Sequence, residues 1–573
     1  VWMTPRLKLL IDRRDRAFHL KNWSKYHRLK EEVIALTRAL KSQCIKRAVS
    51  SGDVRRVWRT IKTIGRQGVP TSRRSLQINA DNFSDFFSSV FQNNDSVIHC
   101  DTESGAVVPT FSVFDIFVEL KKLKRKSSGP DEIPFWIFRD FAWLLSPAIT
   151  SLFNQCIAHG KVPVCFKKAK VIPIPKCRHP KTVSDFRPIS LLPLLSKVFE
   201  KMISRMLILP HVAKSVDPAQ FAFFPGPGSG TASALTLISD RILSFLDSTS
   251  GAVRLLSIDF SKAFDKASHN AIFSAICKFK LPACAVKLVM SFLQNRVQSV
   301  SWNGQFSKWS PIPSGVPQGS VLGPILFGLI VDNFFPVCEN SRVVKYADDI
   351  TILHFVRTSS DDNLQEEWNN CVNWASVNKL PLNIAKCKIL NIVTKKNLLL
   401  SNVLSSTGFL PEVDELKLLG VTFSSNLKWN THVNSIVAKA SRRIFIVRNL
   451  KRSDCSPALI FRAYVAFIRS VLLYAYSSFC NLSFYLQDLL VKVEKRVLRI
   501  IDSDVDFPDL LTVADRSCFN FLRSIEKCEN HPLRIMFECQ HRTQTRSSNV
   551  FRPPLCKTKR FHNSFIKYCM RQS

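Results

Sequence analysis

Apolar residues recur along this chain in two rhythms, and each predicts a different kind of element. Near the start they return every three or four positions. Leu7, Leu10, Ile11 and Phe18 mark a first amphipathic helix, a second is expected from Tyr26 to about Arg47, and a third over Val54 to Ile64 carries Val57, Trp58 and Ile61 on one side. The same spacing predicts helices over 80–91, 113–126, 146–159, 195–207, 270–279, 285–294 and 363–380, with a fully buried one over 321–331. Continuous apolar runs bounded by turn residues predict strands instead: Ala252 to Phe260 as a central one, a pair around 297–309, an extended stretch over 381–393, and a further strand over 417–423. Val171 to Lys176 is expected at a sheet edge, because Pro173 and Pro175 cannot donate to a ladder. Residues 65–74 look like a linker, a loop is expected through Gly105, and Ser127-Ser128-Gly129-Pro130-Asp131 breaks the helix before it. Beyond about Lys428 the pattern is helical and basic to the end.

Composition changes this picture in one respect. Apolar content of 46% and charged content of 22% describe an ordinary globular chain, and 573 residues allow three or four domains. The charge balance is not ordinary: 81 Lys and Arg against 44 Asp and Glu leave +37. That excess predicts a polyanionic partner, nucleic acid before an anionic membrane. It is strongest in residues 1–70, with 18 Lys or Arg against 5 acidic residues; those helices present either solvated basic faces or an arm turned towards nucleic acid. The 17 cysteines include no Cys-x-x-Cys pair, which argues against a disulfide framework and for a reducing, intracellular compartment. No membrane partner is expected, since the apolar stretches 321–335 and 464–479 are broken by Gly, Pro and Asp or by Arg469. The chain opens on Val1, without a visible signal peptide, and is expected to be a fragment.

With acidic residues scarce, an adjacent pair draws the eye. Tyr346-Ala347-Asp348-Asp349 lies between Val343-Val344 and Ile350-Thr351-Ile352-Leu353, the pattern of a β-hairpin whose turn carries two carboxylates. Two like charges ~4 Å apart repel by about 4 kcal/mol at an effective dielectric near 20. Either one carboxylate takes up a proton or a cation lies between them. Mg²⁺ suits the second case, being held by one or two carboxylates together with substrate phosphates. An isolated Asp-Asp is more often just an exposed acidic turn. Asp259 shifts the balance: it ends an apolar strand, where a charge is costly unless it coordinates something. If that strand neighbours the hairpin, three carboxylates converge as in a two-metal phosphoryl-transfer site.

The ordered set Asp259…Phe264, Gly315-Val316-Pro317-Gln318-Gly319-Ser320 and Tyr346-Ala347-Asp348-Asp349 resembles a reverse transcriptase. Asp185-Phe186-Arg187-Pro188-Ile189-Ser190-Leu191-Leu192 and Lys126-Ser127-Ser128-Gly129-Pro130-Asp131 are similar to those of the non-LTR (LINE-type) retrotransposon branch, over roughly Val113 to Ala440. The basic start resembles the segment joining such elements' endonuclease to their polymerase. The resemblance implies an α+β, right-hand polymerase with a ferredoxin-like palm (251–425), mixed fingers (76–250) and a helical thumb with a basic C-terminal region (426–573), after a basic helical extension (1–75). It implies an RNA template, a DNA primer, dNTPs, and Mg²⁺ (or Mn²⁺) on Asp259, Asp348 and Asp349.

Carried over by position, Phe264 matches the aromatic gate against a ribose 2′-OH, although a Phe near a strand end is often simply core. Asp265 and His269 belong to the same motif and are expected in structural pairings. Gln318 matches the residue packing against nucleotide and template, and Gly315 and Gly319 allow close backbone approach; both glycines also suit a turn before a helix capped by Ser320. Lys176 and Arg187 match triphosphate-holding residues, the arginine suiting a forked contact. Lys386 matches the lysine that protonates pyrophosphate, or is an ordinary surface lysine. Tyr346 is expected beside the primer end, Leu418-Leu419-Gly420-Val421 resembles the primer-grip hairpin, and Lys492, Lys495, Arg496 and Arg499 are placed to track duplex phosphates.

Two segments stand apart. Phe224 and Pro227 occupy positions where many relatives carry arginine, a departure that counts against a template or nucleotide contact from this loop, although Gly226 and Gly228 still permit a backbone approach to nucleic acid. Cys528, His531, Cys539 and His541 are candidate zinc ligands, but the one-residue gap between the last two fits no zinc knuckle. Three other possibilities are an intron-maturase-like lineage, a remnant that binds RNA without catalysis, and a basic membrane-surface protein.

Overall fold

The computed structural model describes residues 2–51, 53–65, 78–91, 109–177, 179–480, 482–501, 507–538 and 556–572. The expected linker beyond Gly65 and the loop through Gly105 lie outside them. The chain divides into two compact units, one of residues 1–73, 428–521 and 571–573, the other of 74–427 and 522–570. The stretch 522–570, expected with the helical C-terminal region, thus packs within the larger unit.

The smaller unit is helical. Pro5–His19 and Trp23–Ser50 form a helical hairpin, followed by Val54–Gly65. Thr4 and Asn22 cap the first two helices by accepting from the backbone N–H groups of Leu7 and Lys25. The long helices Asn430–Lys451 and Phe484–Ile501 pack on each other. Among the described residues one helical stretch, Pro457–Ser478, is long and apolar enough to cross a membrane. Arg469 does not interrupt it as expected, because the charge is neutralised locally. Its guanidinium meets Glu494 at 2.5 Å, the Tyr464 hydroxyl donates to the same carboxylate, and Leu510 N–H donates to its other oxygen. Ile460, Tyr464, Ile468 and Leu472, four residues apart, are buried and form one packed face of a stretch that is about one-third buried.

The larger unit is α+β, with helices around two main sheets and two small two-stranded ones. The strands of the main sheets are β1 (Lys168–Pro175), β2 (Phe186–Leu191), β3 (Ala252–Ile258), β4 (Arg296–Trp302), β5 (Gln305–Phe306), β6 (Ser310–Ile312), β7 (Ser341–Tyr346), β8 (Asp349–Val356) and β9 (Lys388–Val393). One sheet runs β7-β8-β3-β9, antiparallel throughout. Its central strand is β3, whose apolar run is buried nearly end to end. The second sheet runs β2-β1-β4, with β5 and β6 both on β4.

Three expectations change here. β1 is flanked on both sides, antiparallel by β2 and parallel by β4, so it is not an edge strand. The parallel pairing ends at Val171, and Pro173 and Pro175 lie beyond it, where only β2 is beside them. Pro173 faces Pro188, so neither proline leaves a ladder partner wanting. Residues 417–423 form not the single strand their apolar run predicts but the hairpin expected at 418–421, Glu415–Leu418 against Val421–Ser424, turning through Leu419 and Gly420, both at positive φ. Thr231–Ser248 is an eighteen-residue helix that no periodic signal had marked.

The core joins helices 142–159, 194–203, 269–278, 283–293 and 322–332 to the inner face of the first sheet. Leu322–Asp332 is buried at nearly every position. Its first N–H groups need acceptors. Ser320 Oγ takes that of Gly323 at 2.9 Å, and buried Glu200 takes those of Val321 and Leu322 at 2.6 and 3.2 Å. The capping role expected of Ser320 is therefore shared with a carboxylate more than a hundred residues away.

Candidate active site

The site begins as a matter of register. Ile258 of β3 faces Ile350 of β8, so one residue further on Asp259 falls opposite Asp349. Tyr346 pairs with Asp349, leaving Ala347 and Asp348 as the turn. Ala347 carries φ 58°, the left-handed geometry of tight hairpin turns. Asp259 is anchored from behind: its carbonyl accepts from Asn383 N–H at 2.8 Å and its N–H points at Cys387 Sγ.

Charge couples the three carboxylates. Burial first, then the charge of Asp259, raises the Asp348 carboxyl, while Arg187 and Lys386 draw it back. Asp349 is pushed up to about 6 by desolvation and then by Asp348 and Asp259, although the residue itself is exposed to solvent. Lys386 Nζ stands 3.3 Å from Asp259 Oδ2 as a counter-charge, at an angle that makes no hydrogen bond, so that buried oxygen accepts none.

Among the described residues, no three His, Cys, Asp or Glu side chains are gathered closely enough to hold a metal ion. The expectation that all three carboxylates share one cation's reach is thus not met as the side chains stand. Asp348 belongs to the turn and Asp349 begins β8, and successive residues of an extended chain project to opposite sides. The donor chemistry nonetheless fits a hard divalent cation: hard carboxylate oxygens, one of them buried without a hydrogen bond, beside two carboxyls, Asp348 and Asp349, that are raised by burial and by neighbouring negative charge. Mg²⁺ in such sites takes one or two carboxylates and completes its shell with substrate phosphates and water.

Beside Asp348 opens a cavity of about 690 Å³, lined by Lys176, Arg187, Phe264, Gln318 and Lys386 among others. Arg187, on β2, is exposed to it; Lys176 follows β1 and its ammonium donates to Ser184 O at 2.7 Å. Phe264 is half-buried, stacked on Phe327 at 4.7 Å and edge-on to Phe223 at 6.1 Å, so one side is core and the other is wall. Gln318 Nε2 donates to Asp265 Oδ1 at 2.7 Å, and burial pushes that carboxyl up to about 6. His269 Nε2 meets Gly315 O at 3.0 Å. Asp265 and His269 thus hold the loop 315–320 rather than face the cavity mouth. Gly315 and Gly319 are required by contact: a Cβ would lie 2.4 Å from Asp265 O in one case and 2.4 Å from Ser190 O in the other. Tyr346 is half-buried at the end of β7 and is not among the cavity's lining residues.

Sequence reasoning passed over several lining residues. Phe86, Phe87 and Phe91 form a wall, and Lys262 lies over the Phe86 ring at 4.4 Å, its φ of 54° turning the chain after Asp259. The four phenylalanines within 83–91, on the helix expected over 80–91, were the available signal. Phe224 is buried in the core. At Gly228 it is the His531 ring that approaches closely, 2.5 Å from where a Cβ would stand. Cys539 and His541 lie outside the described residues. No disulfide joins the described cysteines.

The sequence profile of the family described as "Reverse transcriptase (RNA-dependent DNA polymerase)" matches residues 174–423. The RNA-directed DNA polymerase from mobile element jockey of Drosophila melanogaster is 29% identical over 306 residues, 50% of this chain and 32% of its own length. The retrovirus-related Pol polyprotein from the type-2 retrotransposable element R2DM of the same organism is 26% identical over 318 residues, 52% of this chain and 29% of its own. The chain therefore spans about a third of the curated relatives it matches. Among solved structures, apo telomerase from Candida tropicalis aligns over 84% of this chain and 85% of that one, at 12% identity and a TM-score of 0.38. Residues 174–423 thus match the reverse transcriptase family, and the relatives named above, similar over about half of this chain, are polymerases or polyproteins of mobile and retrotransposable elements.

Proposed function

We propose that this chain is an RNA-directed DNA polymerase that extends a DNA 3′-hydroxyl on an RNA template, as the reverse transcriptase of a non-LTR element. One observation carries most weight: adjacent antiparallel strands whose register sets Asp259 opposite Asp349 beside a turn bearing Asp348. In this account residues 251–425 act as palm, 76–250 as fingers and 426–573 as thumb and C-terminal region, with 1–75 a basic extension. Asp259, Asp348 and Asp349 would hold Mg²⁺ or Mn²⁺, which supplies activation of the primer hydroxyl and charge neutralisation at the leaving pyrophosphate. Arg187 and Lys176 bind the triphosphate, the first through paired N–H donors and the second as a point charge. Phe264 presents its free side to the sugar and excludes a 2′-hydroxyl. Gln318 and Gly319 bring backbone and amide against the nucleotide, and Tyr346 packs by the primer end. Lys386, already beside Asp259, is positioned to give a proton to the leaving group. The setting is intracellular, nuclear or cytoplasmic, and the biological route is target-primed copying of the element's own transcript.

Primer extension on an RNA template tests this directly. The wild-type chain with Mg²⁺ or Mn²⁺ should make DNA, and Asp348→Asn should fall to background while binding template-primer as before. A wild-type chain that binds template-primer and makes no DNA with either cation would leave an RNA-binding remnant in its place.

A further inference from the structure

The smaller unit ends its first helical hairpin in an unusual surface. Phe18, Trp23 and Tyr26 form a three-ring cluster, with centroids 5.4 to 6.2 Å apart in tilted and edge-on pairs. His19 and His27 extend it, at 5.9 Å from Phe18 and 5.5 Å from Tyr26. These rings cover one another only partly: Phe18 is 48% exposed, Leu20 79% and Trp23 52%. The hairpin's buried contacts are made elsewhere, by Leu7, Ala17, Leu29 and Val33. Nothing in the fold of this hairpin requires large apolar rings at its tip.

The tip is also rigid and cationic. Lys21 takes a left-handed conformation (φ 52°), Asn22 N–H donates to Ala17 O at 3.0 Å, and the Asn22 side chain caps the second helix. From Arg13 to Lys30 the chain carries seven Lys or Arg and one acidic residue, Asp15, which Arg14 already pairs at 2.6 Å. Lys30 lies over the Tyr26 ring at 5.9 Å. A buried interface with another protein selects aromatic residues but is depleted in lysine. Aromatic faces interleaved with mobile cations are what an unpaired polynucleotide needs, its bases stacking and its phosphates drawing the charge.

We propose that the Phe18–Trp23–Tyr26 tip is a stacking platform for unpaired RNA, separate from the polymerase cavity. The choice of RNA over DNA rests on the proposed reaction, in which RNA is the strand that enters unpaired. Because stacking is indifferent to base identity, the platform binds without sequence preference, and because phosphates contribute through Lys21, Lys25 and Arg28, binding weakens with salt.

The test uses the full chain bearing Asp348→Asn, so binding is read without polymerisation and stands whether or not the polymerase proposal does. Fluorescence anisotropy with a twelve-nucleotide unstructured RNA compares the parent with Trp23→Ala, Trp23→Phe and Lys21→Ala/Lys25→Ala. Trp23→Ala should weaken binding by about tenfold with an unchanged salt slope, and Trp23→Phe should restore most of it. The lysine pair should flatten the salt slope instead. Duplex RNA should be indifferent to Trp23→Ala, which identifies stacking and not charge as the lost contact. Circular dichroism of each variant should match the parent, since Trp23 supports no core. Equal affinity of Trp23→Ala and parent for the single strand would overturn the platform, as would a parallel loss on duplex. A DNA strand of the same sequence bound as tightly as RNA would overturn the assignment to RNA. Loss of self-association in Trp23→Ala without loss of RNA binding would make the tip a protein contact and refute the proposal.

Discussion

Gly319→Ala tests whether the loop over the cavity is held by contact or merely by conformation. Gly319 keeps φ at 133°, a region that L side chains rarely adopt, and a Cβ there would stand 2.4 Å from Ser190 O. Ser190 cannot retreat, because it pairs with Val171 of β1 and its N–H donates to Gln318 O at 2.8 Å. The loop must therefore give by about 1 Å to reach ordinary van der Waals distance. The unfavourable backbone region costs about 1–3 kcal/mol and the broken hydrogen bond about 1, together about 2–4 kcal/mol. That is a large share of the about 5–15 kcal/mol that holds a typical domain. The same displacement takes Gln318 off Asp265, whose carboxyl then loses its chief stabilising donor. Gly304→Ala supplies the control, since φ there is 84° but nothing lies within 4 Å of the added Cβ. Urea unfolding should show Gly304→Ala losing about 1 kcal/mol, the positive-φ term alone, and Gly319→Ala clearly more. Single-turnover incorporation should show weaker dNTP binding only for Gly319→Ala, with template-primer affinity unchanged. Equal destabilisation of the two variants would refute the claim that contact with Ser190 decides.

Two further outcomes follow from buried charge. Arg254, fully buried on β3, holds both oxygens of equally buried Asp362 at 2.8 Å and reaches Glu412, Asn391 and Ser401 O, so Arg254→Met should cost about 3–5 kcal/mol in chemical unfolding by stranding Asp362, and Arg254→Met/Asp362→Leu should recover most of it. Partial desolvation, then the charges of Asp348 and Asp259, push the Asp349 carboxyl up to about 6 in the folded chain, above its ordinary value in the unfolded one. The fold therefore holds the extra proton, and stability falls as pH rises from about 4 through about 6. Asp259→Asn removes one of the charges responsible, so its melting temperature relative to wild type should rise between pH 4 and pH 7.5, and a difference independent of pH would disprove the coupling.

The hairpin was legible because its pattern was local: two short apolar runs, a tight gap and two carboxylates leave few alternatives. Its partnership with Asp259 was legible only as a condition, since sequence does not say which strands are neighbours; the direct β3–β8 pairing supplies it. β1 was misplaced because the proline rule was applied to the whole strand, whereas only its second half lacks a neighbour on one side. Arg254 was absorbed into an apolar run, although a cation in a central strand is itself a signal that acceptors converge there, in this case from residues 362, 391, 401 and 412. Glu200 gave no signal, being one acidic residue on an amphipathic helix, and its use as a helix cap across the core is purely tertiary.

Charge around the cavity explains why three carboxylates that repel one another are compatible with the proposed chemistry. Lys176, Arg187, Lys262, Lys266 and Lys386 line it, against Asp265 and Asp348. Asp265 is held near 6 with an amide donor, so it adds less than a full charge at neutral pH and below. The walls are therefore cationic and the floor beside Asp348 is anionic. A free triphosphate would suit the walls and be repelled by the floor; a bare cation would suit the floor and be repelled by the walls. A triphosphate accompanied by Mg²⁺ would suit both, since Asp259, Asp348 and Asp349 would hold the cation and the lysines and Arg187 would meet the phosphates. On this account the open carboxylate set is a condition for substrate entry, not a defect, since its closure requires the nucleotide's own oxygens. Mg²⁺ should consequently bind the chain weakly alone and much more tightly with a dNTP present.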